Sequence, residues 1–136
     1  MVVIEDIVEE FLDKNFELKS ADEILNSILS HWKEVQNISD SERKLKKADD
    51  IAKKICKDVA NFKHPVLAKV VNIGYVKGTS KGKLMFKLKE TIKEALLNKN
   101  LEQFEAKREI LNTLRQKLRE YRDDVKNYLI EKTTKG

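Results

Sequence analysis

Residues that interrupt helices are confined to one short stretch of this chain. The single proline is Pro65, and the internal glycines are Gly74, Gly78 and Gly82. Because proline removes a backbone donor and glycine weakens a helix, the remainder of the 136 residues is free to be helical. The sequence therefore predicts a mainly α protein whose non-helical structure lies near residues 65–88.

Helical periodicity is clear before that stretch. Ser20 and Glu23 have the spacing of a capping box and start one helix, and Ser39 to Glu42 offer a similar start for the next. Another amphipathic helix precedes them, with apolar residues on one face. The residues of that face are Val3, Ile4, Ile7, Val8, Phe11 and Leu12. The helix after Glu42 is expected to bury Leu45, Ala48, Ile51, Ala52, Ile55 and Cys56.

A long amphipathic helix is predicted after the stretch, from about residue 90 to 131, with Asn98 to Asn100 as a break. Its apolar positions follow a heptad, which indicates either a seam for a homodimer or packing on the N-terminal helices of the same chain. Arg108, Arg115 and Arg122 repeat beside the seam and are expected to form salt bridges. The candidate dimer or partner residues are Phe104, Leu111, Leu114, Leu118, Tyr121 and Val125.

Charge is distributed unevenly along the chain. Residues 1–42 carry 3 basic and 11 acidic side chains, a net charge of −8, whereas residues 43–89 carry 14 basic and 3 acidic side chains, a net charge of +11. The total of +5 hides this asymmetry, which is typical of a surface for nucleic acid or another acidic partner. The middle of the chain is therefore the candidate binding region.

The stretch with proline and glycine itself suggests a short helix and a β-hairpin. Pro65 suits the first turn of a helix that continues to Ile73, and Gly74 suits its C-terminal cap. Leu84, Phe86 and Leu88 alternate with Met85 and Lys87. This alternation predicts a strand at residues 84–88 that pairs with Tyr75-Val76 across a Gly- and Lys-rich loop.

Two sequence elements in this region resemble the winged helix-turn-helix superfamily. The first is Asp50-Ile51-Ala52-Lys53-Lys54-Ile55, and the second is Gly74-Tyr75-Val76 at the end of the second helix. The resemblance implies a single domain with a winged-helix-like core at residues 43–89, an acidic helical support at 1–42 and a long helix, suited to dimerisation, at 90–136. The alternative fold is an all-α helical bundle.

The resemblance also implies that the chain binds double-stranded DNA as a small transcriptional regulator or DNA-organising factor. Helical Asn, Lys and small side chains contact bases in the major groove, while lysines and hydroxyls of the wing contact phosphates. The candidate contact residues are Lys53, Lys54, Lys57, Lys63, Ala68, Lys69, Asn72, Lys77, Thr79, Ser80, Lys81 and Lys83. The alternative function is a non-catalytic, all-helical interaction subunit of a larger assembly that could contain RNA.

Catalytic, metal and cofactor motifs are not found in the sequence. His31 and His64 have no evident nucleophile partner, and Cys56 is expected to behave as a small apolar residue. One cysteine excludes an internal disulfide framework, and no apolar run approaches the roughly 18 residues of a membrane span. These features predict a cytoplasmic protein without enzymatic activity, metal or cofactor.

Overall fold

Helices dominate the part of the protein that the computed structural model describes, which is residues 3–65 and 80–134. Two short strands, separated by two helices, pair as an antiparallel sheet. The chain is thus mainly α, as expected. In order, the described elements are α1 (Ile4–Asn15), β1 (Phe16–Leu18), α2 (Ala21–Gln36), α3 (Ser41–Lys57), β2 (Ala60–Phe62), α4 (Ser80–Leu97) and α5 (Phe104–Thr134).

The two helix starts predicted from capping residues are confirmed. Ser20 Oγ accepts a hydrogen bond from the backbone N–H of Glu23 at 3.1 Å, and α2 begins at Ala21, directly after Ser20. Asp40 Oδ1 accepts from the N–H of Glu42 at 3.1 Å and starts α3. Each side chain satisfies a backbone donor that has no partner within the first helical turn.

The main core is formed where α2, α3, α4 and α5 meet. Ile28, Ile92 and Leu114 are among the fully buried side chains there. Two side chains of α2 also bind the end of α4, since Trp32 Nε1 donates to Asn98 O at 2.7 Å and Gln36 Nε2 donates to Leu96 O at 2.9 Å. These bonds satisfy carbonyls that the helix end leaves without intrahelical partners.

A second apolar cluster joins α1 and β1 to the C-terminal half of α5. Its buried members are Val8, Leu12, Phe16, Tyr121 and Val125. The apolar face predicted for α1 includes Val3 and Ile7, but both of these side chains are exposed. Only one row of α1 therefore packs on the rest of the described protein.

The observed sheet lies where the sequence pattern predicts no strand. β1 and β2 pair with Phe16 opposite Phe62 and Leu18 opposite Ala60, and the two phenylalanine rings are 4.9 Å apart. Each strand has three residues, which is too short for the alternation that marks a strand in sequence. The segment Ala60–Phe62 thus forms β2, although its sequence predicts no strand.

The predicted strand at residues 84–88 is wrong. These residues belong to α4, which begins at Ser80 and continues to Leu97 without interruption. Leu88 is buried together with Ile92 and Leu96, so it is part of a helical face that continues past the five-residue window of apparent alternation. The second strand of the wing is therefore a helix, and the winged-helix core is not confirmed.

The predicted break in the C-terminal helix is confirmed. Residues 98–103 connect α4 and α5, and Leu101 within them is fully buried. The predicted short helix at 66–73 and its cap at Gly74, together with the strand Tyr75-Val76, lie outside the described residues. No helix of the described segments combines the length and apolar character needed to cross a membrane.

Candidate nucleic-acid interface

The outward face of α3 carries a dense group of positive charges. Ala48, Ile51, Ala52 and Ile55 are buried at helical spacing, as expected, so the opposite side of α3 faces solvent. The expected burial of Leu45 is wrong, because its side chain is exposed. This outward face of α3 consists of Arg43, Lys46, Asp50, Lys53, Lys54 and Lys57, all of them exposed. It extends over about 21 Å at 1.5 Å per residue.

Most of these cations have no acidic partner among the described residues. Arg43, Lys46, Lys54 and Lys57 form no ion pair with any described residue, whereas Lys53 Nζ lies 3.1 Å from Asp49 Oδ2. That pair is exposed on the lysine side and connects residues four apart, so it contributes only a few tenths of a kcal/mol. The outward face of α3 thus presents cations that are available to an external anion.

Asp49 lies at the edge of this face and binds lysines of α4. Lys89 Nζ and Lys93 Nζ lie 3.2 Å and 3.7 Å from Asp49 Oδ1. The hydrogen bonds of Lys53 and Lys89 hold the pKa of the Asp49 carboxyl below its ordinary value. Three lysines therefore converge on one carboxylate, and the junction of α3 and α4 remains positive.

Helices α3 and α4 run in opposite directions. Gln36 at the end of α2 contacts Lys44 near the start of α3, at 3.3 Å, and also contacts the Leu96 carbonyl near the end of α4. The first turn of α4, which contains Lys81 and Lys83, therefore lies at the same end of the molecule as the last turn of α3.

The structure distributes the predicted DNA-contacting residues over several places. Lys53, Lys54 and Lys57 lie on the outward face of α3, whereas Lys63 follows β2 and lies 3.5 Å from Glu17. The remaining residues fall into two groups. The first group lies in the first turn of α4, the helix that takes the place of the second half of the predicted wing, and consists of Ser80, Lys81 and Lys83. The second group lies outside the described residues and consists of Ala68, Lys69, Asn72, Lys77 and Thr79.

Two residues of the outward face, Arg43 and Lys46, are absent from the predicted interface. Both precede the segment that resembles the helix-turn-helix element, and that resemblance gives them no role. Periodicity provides a signal for them, because Arg43, Lys46, Asp50, Lys53 and Lys57 follow one another at alternating spacings of three and four residues. Residues at this spacing lie on one side of a helix, so the polar face could be read from sequence.

The seam residues of α5 are mostly buried within their own chain. Leu114, Leu118, Tyr121 and Val125 belong to the two apolar clusters and are buried, and Leu111 is half-buried. Phe104 is 75 % exposed and contributes to neither cluster. Of the two explanations for the heptad, packing within the chain is the one observed, so the four buried residues are not available to a partner in the folded protein.

The arginine row beside the seam forms salt bridges, as predicted. Arg108 binds Glu105 at 2.8 Å, and Arg115 lies 3.9 Å from Asp22 of α2. Arg122 connects α5 to acidic side chains of α1. The acidic N-terminal third therefore supplies partners for cations of α5, whereas it supplies none, within the described structure, for the outward face of α3.

The reactive side chains noted in the sequence have different surroundings. His31 Nδ1 lies 3.6 Å from Glu34 Oε2, and both side chains are exposed. The His64 ring packs near that of Phe11, with centroids 5.6 Å apart. Cys56 is half-buried, and burial raises the pKa of its thiol to about 12, so it stays protonated near neutral pH. None of these contacts activates a nucleophile in the described segments.

A cleft of about 690 Å³ lies beside β2. Side chains of both signs line it, among them Lys19, Glu23 and Lys57. The described residues contain no cluster of three or more potential metal ligands. The cleft thus offers mixed charge and no metal site within the described part of the chain.

Comparison with known proteins gives no further assignment: no protein-family model, curated protein or solved structure matches the chain. The resemblance to winged helix-turn-helix proteins thus stays a prediction from sequence. The candidate interface rests on the geometry and charge of α3 and α4.

Proposed function

We propose that this protein is a non-catalytic DNA-binding protein that contacts the backbone of double-stranded DNA through the outward face of α3. The observation that carries the proposal is the set of cations on that face without acidic partners among the described residues, namely Arg43, Lys46, Lys54 and Lys57. Elsewhere in the described structure, many basic side chains form ion pairs with acidic ones. For example, Arg122 and Lys126 of α5 both pair with Glu9 of α1.

The position of α3 in the bundle supports the same function. Helix α3 packs against α2 and α4, whereas α5 packs against α1, α2 and α4. Helix α3 is therefore an outer element, with one long side directed at solvent. Such a helix fits the major groove of B-form DNA, whereas the deep and narrow major groove of A-form RNA excludes it.

Binding through lysines and arginines has a characteristic dependence on salt. Each phosphate that is neutralised releases a counterion, so the logarithm of the affinity falls with the logarithm of the salt concentration. With roughly five phosphate contacts, the affinity should fall by about 10²- to 10³-fold between 50 and 200 mM salt. Fluorescence anisotropy with a labelled duplex measures this slope.

A triple variant tests whether α3 is the surface involved. Replacing Lys46, Lys54 and Lys57 by Gln should weaken binding and lower the steepness of the salt dependence by about three phosphate contacts. The matched control changes three other exposed cations to Gln, outside α3 and α4. These are Lys14, Lys99 and Arg119. Equal losses in the two variants, or no binding of the wild-type chain to any duplex at low salt, would contradict the proposal.

A further inference from the structure

One carboxylate lies in the middle of the cationic face. Asp50 is exposed, and all four of its helical neighbours at three- and four-residue spacing are lysines. These neighbours are Lys46, Lys47, Lys53 and Lys54. Neighbours at this spacing can reach one another on a helix surface, so Asp50 has four candidate partners within its own helix.

Two of these lysines nevertheless place their ammonium groups on other acids. Lys47 Nζ lies 3.0 Å from Glu34 Oε1 of α2, and Lys53 Nζ lies 3.1 Å from Asp49 Oδ2. Lys46 and Lys54 form no ion pair with any described residue. Asp50 itself has no ion pair or hydrogen bond within the described part of the protein, which leaves its carboxylate oxygens open to an external donor.

A carboxylate at this place opposes phosphate binding, because like charges repel each other across the interface. It becomes favourable where it meets a hydrogen-bond donor. The major groove supplies such donors, since cytosine presents its N4 amino group there and pairs well with Asp or Glu. Around it, Arg43, Lys46 and Lys57 would contact the phosphates on either side of the groove.

We propose that Asp50 is a specificity-determining residue that accepts a hydrogen bond from the N4 amino group of a cytosine in the bound duplex. This assignment rests on the function proposed above and adds sequence preference to it. The lysines and Arg43 supply most of the affinity, while Asp50 selects which base lies opposite the centre of α3.

Selection from a random-sequence DNA duplex library tests the assignment. The wild-type chain should enrich a C·G pair at one position, with a preference of roughly tenfold over the other pairs. Asp50→Asn should move the preference at that position to adenine, because Asn pairs with adenine N6 and N7. Asp50→Ala should abolish the preference there while it retains binding.

Asp123→Asn is the matched control, since it makes the same chemical change at an exposed position of α5. It should leave the selected sequence unchanged. If Asp50→Asn tightens binding to all duplexes equally and alters no base preference, the assignment of Asp50 is wrong while the proposed function stands. If the wild-type chain binds no duplex, the proposed function fails and the assignment fails with it.

Discussion

Among individual residues, Glu9 shows how strongly neighbouring cations stabilise the ionised form of an acid in this fold. It lies between α1 and α5, where Arg122 binds one of its carboxylate oxygens and Lys126 Nζ lies 3.0 Å from the other. The hydrogen bonds from Arg122 and Lys126 lower the pKa of Glu9 from 4.5 to about 2. Glu9 is therefore ionised in the folded protein at pH values that protonate an ordinary glutamate.

This shift makes the stability of the protein depend on pH. Because the pKa of Glu9 is lower in the folded than in the unfolded chain, its contribution is complete above about pH 4.5 and is lost as the pH falls toward 2. Glu9→Gln should lower the melting temperature at pH 7 and flatten its fall between pH 4.5 and 2. Thermal unfolding followed by circular dichroism across this range measures the effect.

Glu10→Gln is the control for this experiment. Glu10 pairs with Lys14 of the same helix, at 3.5 Å, and both side chains are largely exposed. Its replacement should change the pH profile little, since exposed pairs contribute at most about 1 kcal/mol. A wild-type profile identical to that of Glu9→Gln would contradict the assigned role.

Among the helices, α4 illustrates the limit of short sequence patterns. An apparent alternation over five residues is compatible with a strand, but Leu88 belongs to a helical series of buried side chains with Ile92, Ala95 and Leu96. A window that extends to the end of α4 favours a helix. The cap at Ser20 is more informative, because it depends on a local hydrogen bond and not on distant contacts.

The helical state of α4 can be tested at Gly82. Replacing a glycine by alanine in a helix interior stabilises it by roughly 0.5–1 kcal/mol, because alanine loses less backbone entropy. Gly82 lies in the first turn of α4, so its replacement should gain at most that much. Gly82→Ala should therefore raise the free energy of unfolding, as measured by urea denaturation. Lys87→Ala, at an exposed position of the same helix, should change it by less than about 0.5 kcal/mol. A loss of stability in Gly82→Ala would indicate a glycine-specific turn there.

In the folded molecule, the long helix α5 connects the two apolar clusters. Its first half contributes Leu114 and Leu118 to the main core, and its second half contributes Tyr121 and Val125 to the cluster with α1. The heptad is visible in sequence, but periodicity alone does not distinguish a partner in the same chain from a second copy. In the described structure, Leu114, Leu118, Tyr121 and Val125 pack within their own chain.

Charged substitutions along the seam distinguish packing within one chain from packing against a second copy of the chain. Leu118→Asp places a carboxylate in the main core and should unfold the monomer, with a loss of several kcal/mol. Phe104→Asp should leave the chain folded, because Phe104 is 75 % exposed. Circular dichroism and light scattering report folding and mass. A Leu118→Asp variant that stays helical but halves in mass would show a dimer seam instead.

The candidate interface is predictable from sequence only in part. Charge identifies Lys53, Lys54 and Lys57, and helical spacing adds Arg43 and Lys46. The pairing of neighbouring lysines is not predictable, because one partner is an acid of α2 that only the tertiary fold brings close. Asp50 lacks an ion pair in the described structure because Lys47 and Lys53 pair with other acids, and the sequence around Asp50 does not predict this.

The small sheet bears on the order in which the chain assembles. Phe16 and Phe62 are distant in sequence, so their pairing must close a long loop, which carries an entropic cost in the unfolded chain. Helices α2 and α3 lie within that loop, and the Lys19 N–H donates to Val59 O at 2.9 Å where the two ends of the helix pair meet. We therefore expect the α2–α3 pair to form first and the pairing of β1 with β2 to form after it. The helix that carries the candidate interface would then be among the earliest parts of the molecule to take its place.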